Sequence, residues 1–167
     1  MVGEVGYPNG KLLCADPFLL QATLAEKRLV PPGAGKVYVQ MLATVAAGTR
    51  CAYAWLQLST AVPEQWQEAM HFPVDSGLAC FVDAGLAADF AAVVHSFPGN
   101  YYDDQLAAGF RKNAMGNKEG DWLLHDFGAG NMALCASGMG DGHYTAYWGL
   151  DKTGQASTLL VDFKLNQ

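Results

Sequence analysis

Charged side chains are scarce in this chain, closely spaced cysteine pairs are missing, and no apolar run is long. Asp, Glu, Lys and Arg make up 16% of the 167 residues, whereas 51% of the residues are hydrophobic. This composition is typical of a folded globule and excludes a disordered chain. The 10 Lys and Arg residues are outnumbered by 16 Asp and Glu residues, which gives a net charge of −6. The acidic balance disfavours nucleic acid as a partner, because phosphates select a basic surface.

The four cysteines lie far apart, at Cys14, Cys51, Cys80 and Cys135. A structural zinc site usually shows close ligand pairs, so none is predicted. Each cysteine lies in an apolar run, which is typical of buried free thiols. No apolar run approaches the roughly 20 residues that a membrane-spanning helix needs, and the N-terminus lacks the pattern of a secretory signal. We therefore expect a cytoplasmic protein with reduced thiols and no membrane span.

The clearest structural signal is a β-hairpin near the C-terminus. In residues 143–150, Tyr144 and Trp148 fall on one face and Tyr147 on the other, and this aromatic-rich period of two is typical of a strand. Residues 151–154 predict a tight turn, because Asp can bond forward to the backbone and Gly can adopt a positive φ. Residues 157–163 predict the returning strand.

Several motifs in and before this hairpin resemble one protein family. In the hairpin they are Gly140-Asp141-Gly142-His143-Tyr144, Tyr147-Trp148-Gly149-Leu150-Asp151 and Val161-Asp162-Phe163. Earlier in the chain they are Cys14-Ala15-Asp16-Pro17, Val30-Pro31-Pro32-Gly33, and Val74-Asp75-Ser76-Gly77 with Asp83. Together they resemble an uncharacterised bacterial family, the domain of unknown function 4241. The resemblance covers most of the chain and implies no activity and no catalytic residue.

The remaining periodicities predict one antiparallel α+β domain spanning residues 1–167. About seven strands, mostly joined by hairpins, are expected with two or three short helices. One helix follows Asp83 as its cap, and another runs from Asn100 to about Lys112. Residues 18–28 fit either a short helix or an extended edge. Outside the hairpin, the strands are predicted at residues 11–15, 37–45, 50–58, 78–82, 122–125 and 132–137.

Two further predictions concern the middle of the chain. A short helix is expected after Ser59 or Thr60, because Val62, Trp66 and Met70 fall on one side at helical spacing. In the strand before it, Tyr53 and Trp55 alternate in phase with Cys51, which predicts that all three face the core.

Carboxylates at loops and element ends are the candidates for a metal site, since hard cations favour such oxygens. Asp75, Asp83, Asp141 and Asp151 have such positions, but nothing places the four together. Helix capping explains Asp83 and the turn explains Asp151. Asp75, Asp83 and Asp141 are kept as the candidate ligands. No metal and no cofactor is therefore predicted. The glycine-rich residues 138–142 indicate either a turn in which Asp141 bonds its own backbone or a binding rim formed by that carboxylate.

No motif for catalysis holds up in this sequence. Residues 33–36 lack the flanking Gly and Ser or Thr of a phosphate-binding loop. A nucleophilic Cys80 or Cys135 beside His125 or His143 stays open, although cysteines in apolar strands usually serve packing. The alternative function is a small-molecule- or metal-dependent enzyme whose site comprises Asp75, Asp83, Asp141 and His143.

A set of aromatic residues belongs either to ordinary core and half-buried sheet surface or to an interface, where Tyr and Trp are common. The set comprises Tyr101, Tyr102, Tyr144, Tyr147 and Trp148. We predict a non-enzymatic binding protein, specifically a bacterial immunity protein that occludes the active site of a basic toxin. A structural or regulatory role also stays open. The predicted partner-binding residues, which would face a basic catalytic cleft, are Asp103, Asp104, Asp141, His143, Tyr147 and Asp151.

Overall fold

A computed structural model describes residues 1–20, 28–45 and 47–165. In this part of the chain, ten antiparallel strands form two sheets. The six-stranded sheet has the order β1-β3-β4-β10-β9-β5, and the four-stranded sheet has the order β2-β6-β8-β7. The strands are β1 (Gly3–Tyr7), β2 (Leu12–Ala15), β3 (Gly33–Thr44), β4 (Gly48–Gln57), β5 (Gln65–Val74), β6 (Leu78–Asp83), β7 (Trp122–Asp126), β8 (Asn131–Ala136), β9 (Gly142–Leu150) and β10 (Ala156–Asp162).

Two helices accompany the sheets. Helix α1 (Ala87–Ser96) follows a 3-10 turn at Ala84–Leu86, where the Asp83 side chain accepts a hydrogen bond from Gly85 N. Helix α2 (Ala107–Arg111) continues a π-helical segment, Tyr102–Leu106. The antiparallel α+β class and both of these helices are therefore confirmed. The strand count is ten rather than about seven. The helix or extended edge predicted for residues 18–28 lies largely outside the described residues, since 21–27 are not described. A 3-10 turn, Pro17–Leu19, precedes that gap.

The predicted C-terminal hairpin is confirmed as β9 and β10. Tyr144 and Trp148 are buried, whereas Tyr147 on the opposite face is half-buried. Gly154 closes the turn with φ 81°, and Asp151 Oδ1 accepts hydrogen bonds from Thr153 N and Gln155 N. These two strands lie inside the six-stranded sheet, so the hairpin contributes both core and surface.

The two sheets pack on each other, and the helices cover the far side of the smaller sheet. On the inner side, β1 and β4 contact β8, and β2 contacts β5. On the outer side, His125 of β7 packs against Phe90 of α1, and Gly109 of α2 lies over Leu123. The result is three layers, in which the four-stranded sheet is the middle one and the outer face of the six-stranded sheet remains uncovered by α1 and α2.

The helix predicted after Ser59 or Thr60 is wrong, because residues 65–74 form strand β5. This strand pairs with β9 along its whole length, with a bulge between Glu68 and Met70. The bulge places the exposed Trp66 on the outer side of the sheet and the buried Met70 on the inner side, so the helical spacing of the two residues does not reflect a shared face. Pro73 is tolerated because β5 is an edge strand.

The shared core face predicted for Cys51, Tyr53 and Trp55 is also wrong. The register of β4 against β3 shifts at Ala52, so that Met41 pairs with Cys51 while Gln40 pairs with Tyr53. An extra residue reverses the side-chain alternation of a strand. Cys51 is therefore fully buried, while Tyr53 and Trp55 project from the outer face and are half-buried.

Strand β1 was not predicted, because it contributes only Val5 and Tyr7 to the core and contains two glycines. Its free edge is met by one side chain of the other sheet. Asn131 Oδ1 accepts a hydrogen bond from Gly6 N at 3.0 Å, and Asn131 Nδ2 donates one to Glu4 O at 2.9 Å. The carboxamide thus imitates the pairing of a neighbouring strand.

Candidate functional site

The outer side of the six-stranded sheet, which no helix of the described residues covers, carries a row of large side chains. Tyr38 of β3 pairs with Trp55 of β4, Trp55 pairs with Leu160 of β10, and Leu160 pairs with Tyr147 of β9. Directly paired residues of antiparallel strands point to the same side of the sheet, so these four form a continuous row. The row crosses four strands, a width of about 14 Å. All four side chains are half-buried.

A groove of about 390 Å³ lies beside this row. The rings of Tyr38 and Trp55 stack with centroids 5.4 Å apart, and Trp55 lines the groove on the side of the row. Trp66, which is 52% exposed, stands on the other side of the groove. The groove is lined by Gln40, Tyr53, Trp55, Pro63, Trp66, Thr158 and Leu160. We call the surface made by Tyr38, Tyr53, Trp55, Trp66, Tyr147 and Leu160 the aromatic face.

Gly149 allows Pro63 and Trp66 to lie close to the sheet. Trp66 pairs with Gly149 across β5 and β9. A Cβ added at Gly149 would lie 3.0 Å from Pro63 Cβ and 3.1 Å from Trp66 Cζ3. These distances are tighter than ordinary van der Waals contact, so any side chain at this position would push the wall of the groove outward.

A polar rim borders the aromatic face on the β5 side. Thr145 Oγ1 and His71 Nδ1 are hydrogen-bonded at 2.9 Å, and His71 Nε2 lies 3.3 Å from Glu68 Oε2. Glu68 pairs with Tyr147, and Asp162 pairs with Tyr53, so each carboxylate is the direct neighbour of an aromatic residue. The rim therefore places negative charge next to the aromatic rings.

The order Thr145, His71, Glu68 resembles a nucleophile–base–acid relay, but its setting does not support catalysis. Thr145 lies in the middle of β9, where it is paired with His71 on one side and Asp162 on the other. The ladders on both sides engage the backbone, whereas acyl transfer needs free donors aimed at a developing oxyanion. The three residues are better understood as a hydrogen-bonded surface cluster.

The structure does not bring the predicted partner-binding residues together. Asp141 immediately precedes β9 and Asp151 immediately follows it, which separates them by roughly 30 Å. Asp103 and Asp104 are exposed on the π-helical segment that leads into α2. His143 is exposed, and its carbonyl accepts a hydrogen bond from Lys164 Nζ at 3.1 Å. Of the predicted set, Tyr147 belongs to the aromatic face.

Asp151 is occupied by its own turn. Its side chain accepts hydrogen bonds from Thr153 Oγ1 and from Thr153 N, and these bonds lower the pKa of the carboxyl group. The carboxylate therefore stabilises the β9–β10 turn.

The three candidate metal ligands do not form a cluster in the structure. Asp75 and Asp141 are exposed, whereas Asp83 is fully buried. Asp83 accepts hydrogen bonds from Asn9 N at 2.7 Å and Gly85 N at 2.7 Å, and Asn9 Nδ2 adds a third at 3.2 Å. No group of three or more His, Cys, Asp or Glu residues arranged for a metal occurs within residues 1–20, 28–45 and 47–165.

Two other buried carboxylates hold loops in the same way. Asp16 accepts hydrogen bonds from Phe18 N, Asp75 N and Ser76 N, each at 2.8 Å. Asp121 accepts hydrogen bonds from the backbone of Met115 and Gly116. A carboxylate that accepts hydrogen bonds from several backbone amides fixes the segment that supplies them. The roles of Asp16 and Asp121 are therefore structural.

The four cysteines are free and buried. Burial raises the pKa of Cys80 to about 12, and it also raises the pKa of Cys14. The hydrogen bond with Cys51, together with burial, raises the pKa of Cys135. Since the thiolate is the nucleophile, these shifts disfavour the Cys–His arrangement considered for Cys80 and Cys135.

Sequence patterns missed most of the aromatic face. Tyr53 and Trp55 were assigned to the core because the bulge at Ala52 leaves no mark in the residue pattern. Trp66 was assigned to a helix for a similar reason. The motif Tyr147-Trp148-Gly149 was the one signal of this surface in the sequence. A glycine within a strand can mark a close approach by another group, and Trp66 packs against Gly149.

Comparison with known proteins identifies a family but no activity. The sequence model of the family described as "Protein of unknown function (DUF4241)" matches residues 70–161, more than half of the chain. No curated protein matches the chain, and no solved structure matches it. Among the described residues, no helix has both the length and the apolar character needed to cross a membrane.

Proposed function

We propose that this chain, which belongs to the DUF4241 family of proteins of unknown function, is a binding protein that holds a protein partner on its aromatic face. The observation that carries this proposal is the continuous row of Tyr38, Trp55, Leu160 and Tyr147 on the uncovered side of the six-stranded sheet. Contiguous exposed apolar surface of this kind usually marks an interaction site.

The residue types of the aromatic face suit protein binding. Tyr and Trp bury large areas with few rotatable bonds, and they dominate the binding energy of many interfaces. Trp55 is held in place by its stack on Tyr38, so little freedom remains for it to lose when a partner docks. Trp66 and the groove beside it offer a recess for a partner's side chain.

The charge of the protein supports a basic partner. The chain carries a net charge of −6, and Glu68 and Asp162 pair directly with Tyr147 and Tyr53. Charge complementarity speeds encounter and disfavours acidic competitors. We propose that the partner is a basic bacterial toxin and that the chain acts as its immunity protein by covering the active site. Four free cysteines suit the reducing cytoplasm, where we propose that it acts.

The test is capture from a native bacterial lysate with the tagged chain, followed by mass spectrometry and reconstitution with the purified partner. The matched pair of variants is Trp55→Ala, on the aromatic face, and Met115→Ala, which removes an exposed apolar side chain from the loop before β7. Loss of a central aromatic anchor should weaken binding by at least about 30-fold, whereas Met115→Ala should change it less than about threefold.

The identity of the captured protein decides the finer part of the proposal. A basic enzyme whose activity the wild-type chain inhibits at equimolar ratio supports the immunity role. Equal capture by the wild-type chain and Trp55→Ala contradicts the assignment of the aromatic face. The double variant Asp103→Asn, Asp104→Asn examines the carboxylates predicted from sequence, and we expect less than a threefold effect because they lie on the helical side of the protein.

A further inference from the structure

A second concave site lies where loops from both sheets meet, and it shares no lining residue with the groove on the aromatic face. This cavity of about 380 Å³ is bounded by the beginning of β4, the loop before β6, the loop before β7 and the glycine-rich loop after β8. Its polar lining includes Arg50, Ser76, Tyr102, Asn117, Glu119 and Ser137. We call it the glycine pocket.

Two glycines with a left-handed backbone conformation line this pocket. Gly77 and Gly140 line it from two facing loops, with φ values of 68° and 106°. A Cβ added at Gly77 would lie 4.0 Å from Gly140 Cα, so the two loops approach closely with no side chain between them. Larger residues would be strained in this backbone conformation and would occupy the space between the loops.

Arg50 supplies the pocket with a cation that lacks a carboxylate partner. Its side chain is half-buried, and Nη1 donates a hydrogen bond to Thr49 O at 3.1 Å. Within the described ranges no Asp or Glu oxygen lies within 4.0 Å of its guanidinium group. A half-buried guanidinium with free donors is suited to bind a carboxylate or phosphate through two parallel hydrogen bonds.

Glu119 supplies the same pocket with an anion. It makes a long contact of 3.9 Å with Arg111, and its side chain is 68% exposed. Burial of Tyr102, and after it the negative charge of Glu119, raises the pKa of the Tyr102 hydroxyl group, which therefore stays protonated as a hydrogen-bond donor. A ligand with two negative groups would be repelled here, whereas a ligand with one group of each sign would satisfy both charged residues.

We propose that the glycine pocket binds a small zwitterion of the amino-acid type, whose carboxylate contacts Arg50 and whose ammonium group contacts Glu119. The volume fits such a molecule, since small-molecule pockets begin at about 300 Å³. This site is independent of the aromatic face, so either assignment can fail while the other stands.

The test uses the purified chain and defined probes. Each of the common L-amino acids is added at about 10 mM, ten times above a dissociation constant of about 1 mM, and binding is measured by thermal shift and titration calorimetry. Acetate, ethylamine and inorganic phosphate are the matched probes that carry one kind of charge only. We expect saturable binding of at least one amino acid that is at least about tenfold tighter than binding of each single-charge probe.

Variants connect this binding to the pocket. Arg50→Gln should weaken amino-acid binding by about 10- to 100-fold, because a charged hydrogen-bonding pair is lost. Glu119→Gln should weaken it as well, and the control Lys152→Gln, an exposed residue of the β9–β10 turn, should leave it unchanged. If Arg50→Gln fails to fold, Arg50→Lys retains the charge without the planar fork and should weaken binding by about tenfold.

Three results would overturn the proposal. The first is that no amino acid binds. The second is that phosphate or acetate binds as tightly as any amino acid, which would make the pocket a plain anion site. The third is that binding is the same in Arg50→Gln and Glu119→Gln as in the wild-type chain.

Discussion

The two sheets carry similar aromatic residues but differ in what covers them. On the four-stranded sheet, Phe90 of α1 is fully buried and meets the rings of His125 and Phe127 edge-on, with centroids 6.3 Å and 5.3 Å apart. On the six-stranded sheet, Tyr38 and Trp55 stack on each other and remain half-buried. The same kind of side chain is core where a helix lies over the sheet and surface where neither described helix does.

This difference separates folding from binding. Phe90 gains its full burial from the chain itself, so its packing contributes to the stability of the monomer. Trp55 gains only part of the free energy that full burial of its ring would give, because part of the ring faces solvent. A partner that covers the aromatic face would release that remaining free energy, which is why the uncovered sheet is the better candidate for a binding surface.

The largest expected loss of stability comes from a substitution under α1, the helix that covers the four-stranded sheet. Phe90→Ala should lower the free energy of unfolding by about 3–5 kcal/mol, because it leaves a cavity between α1 and β7. Urea unfolding followed by circular dichroism measures this loss. An effect below about 1 kcal/mol would mean that α1 does not seal the sheet as the structure indicates.

A smaller effect is expected on the bare side. Trp55→Ala removes more atoms than Phe90→Ala, yet it should cost only roughly 1–2 kcal/mol, since the ring is half-buried and loses chiefly its stack on Tyr38. The same urea experiment provides the comparison, with an unchanged dependence on denaturant concentration as the control for a native-like fold. Equal losses in the two variants would contradict the distinction between core and surface aromatics.

The smallest expected effect concerns the pH response of the covered side. Burial beneath α1 lowers the pKa of His125 from its ordinary value of 6.5, with the Asp126 carboxylate acting in the opposite direction. The unfolded chain then takes up this proton at a higher pH than the folded chain, so His125 makes the protein less stable as the pH falls below 6.5.

Replacing His125 isolates this contribution. His125→Gln should lose less stability than the wild-type chain between about pH 7 and about pH 5, although it also loses the 2.7 Å hydrogen bond with the Tyr101 hydroxyl group. The measured quantity is the slope of unfolding free energy against pH, which does not depend on a constant offset.

Sequence patterns predicted the elements whose periodicity is uninterrupted. Strand β9 has a regular alternation and α1 an unbroken apolar stripe, and both were placed correctly. The irregularity of the hairpin is confined to the start of β10, between Ala156 and Thr158. The patterns failed at bulges. A single extra residue at Ala52 and another between Glu68 and Met70 reversed the side-chain alternation, and the first moved Trp55 from the predicted core to the surface.

The candidate site could be predicted only in part for the same reason. Tyr147 was found because it lies in the regular part of β9. Leu160 lies on the returning strand of the same hairpin, whereas Trp55 is far from Tyr147 in sequence and joins the row only through the sheet order β4-β10-β9. Candidate carboxylates were predicted from their positions in loops, but Asp83 and Asp151 prove to serve the local backbone.

The two edge strands of the six-stranded sheet, β1 and β5, determine whether copies of this protein can aggregate by adding strands to the sheet. An open edge beside exposed aromatic rings would invite strands of other molecules to extend the sheet into aggregates. At one end the carboxamide of Asn131 already occupies Gly6 N and Glu4 O. At the other end Pro73 has no amide hydrogen to offer, and the β5 bulge disturbs the regular ladder that an incoming strand would need. Both edges of the sheet are therefore protected against strand addition, so the proposed binding surface can stay exposed without promoting polymerisation.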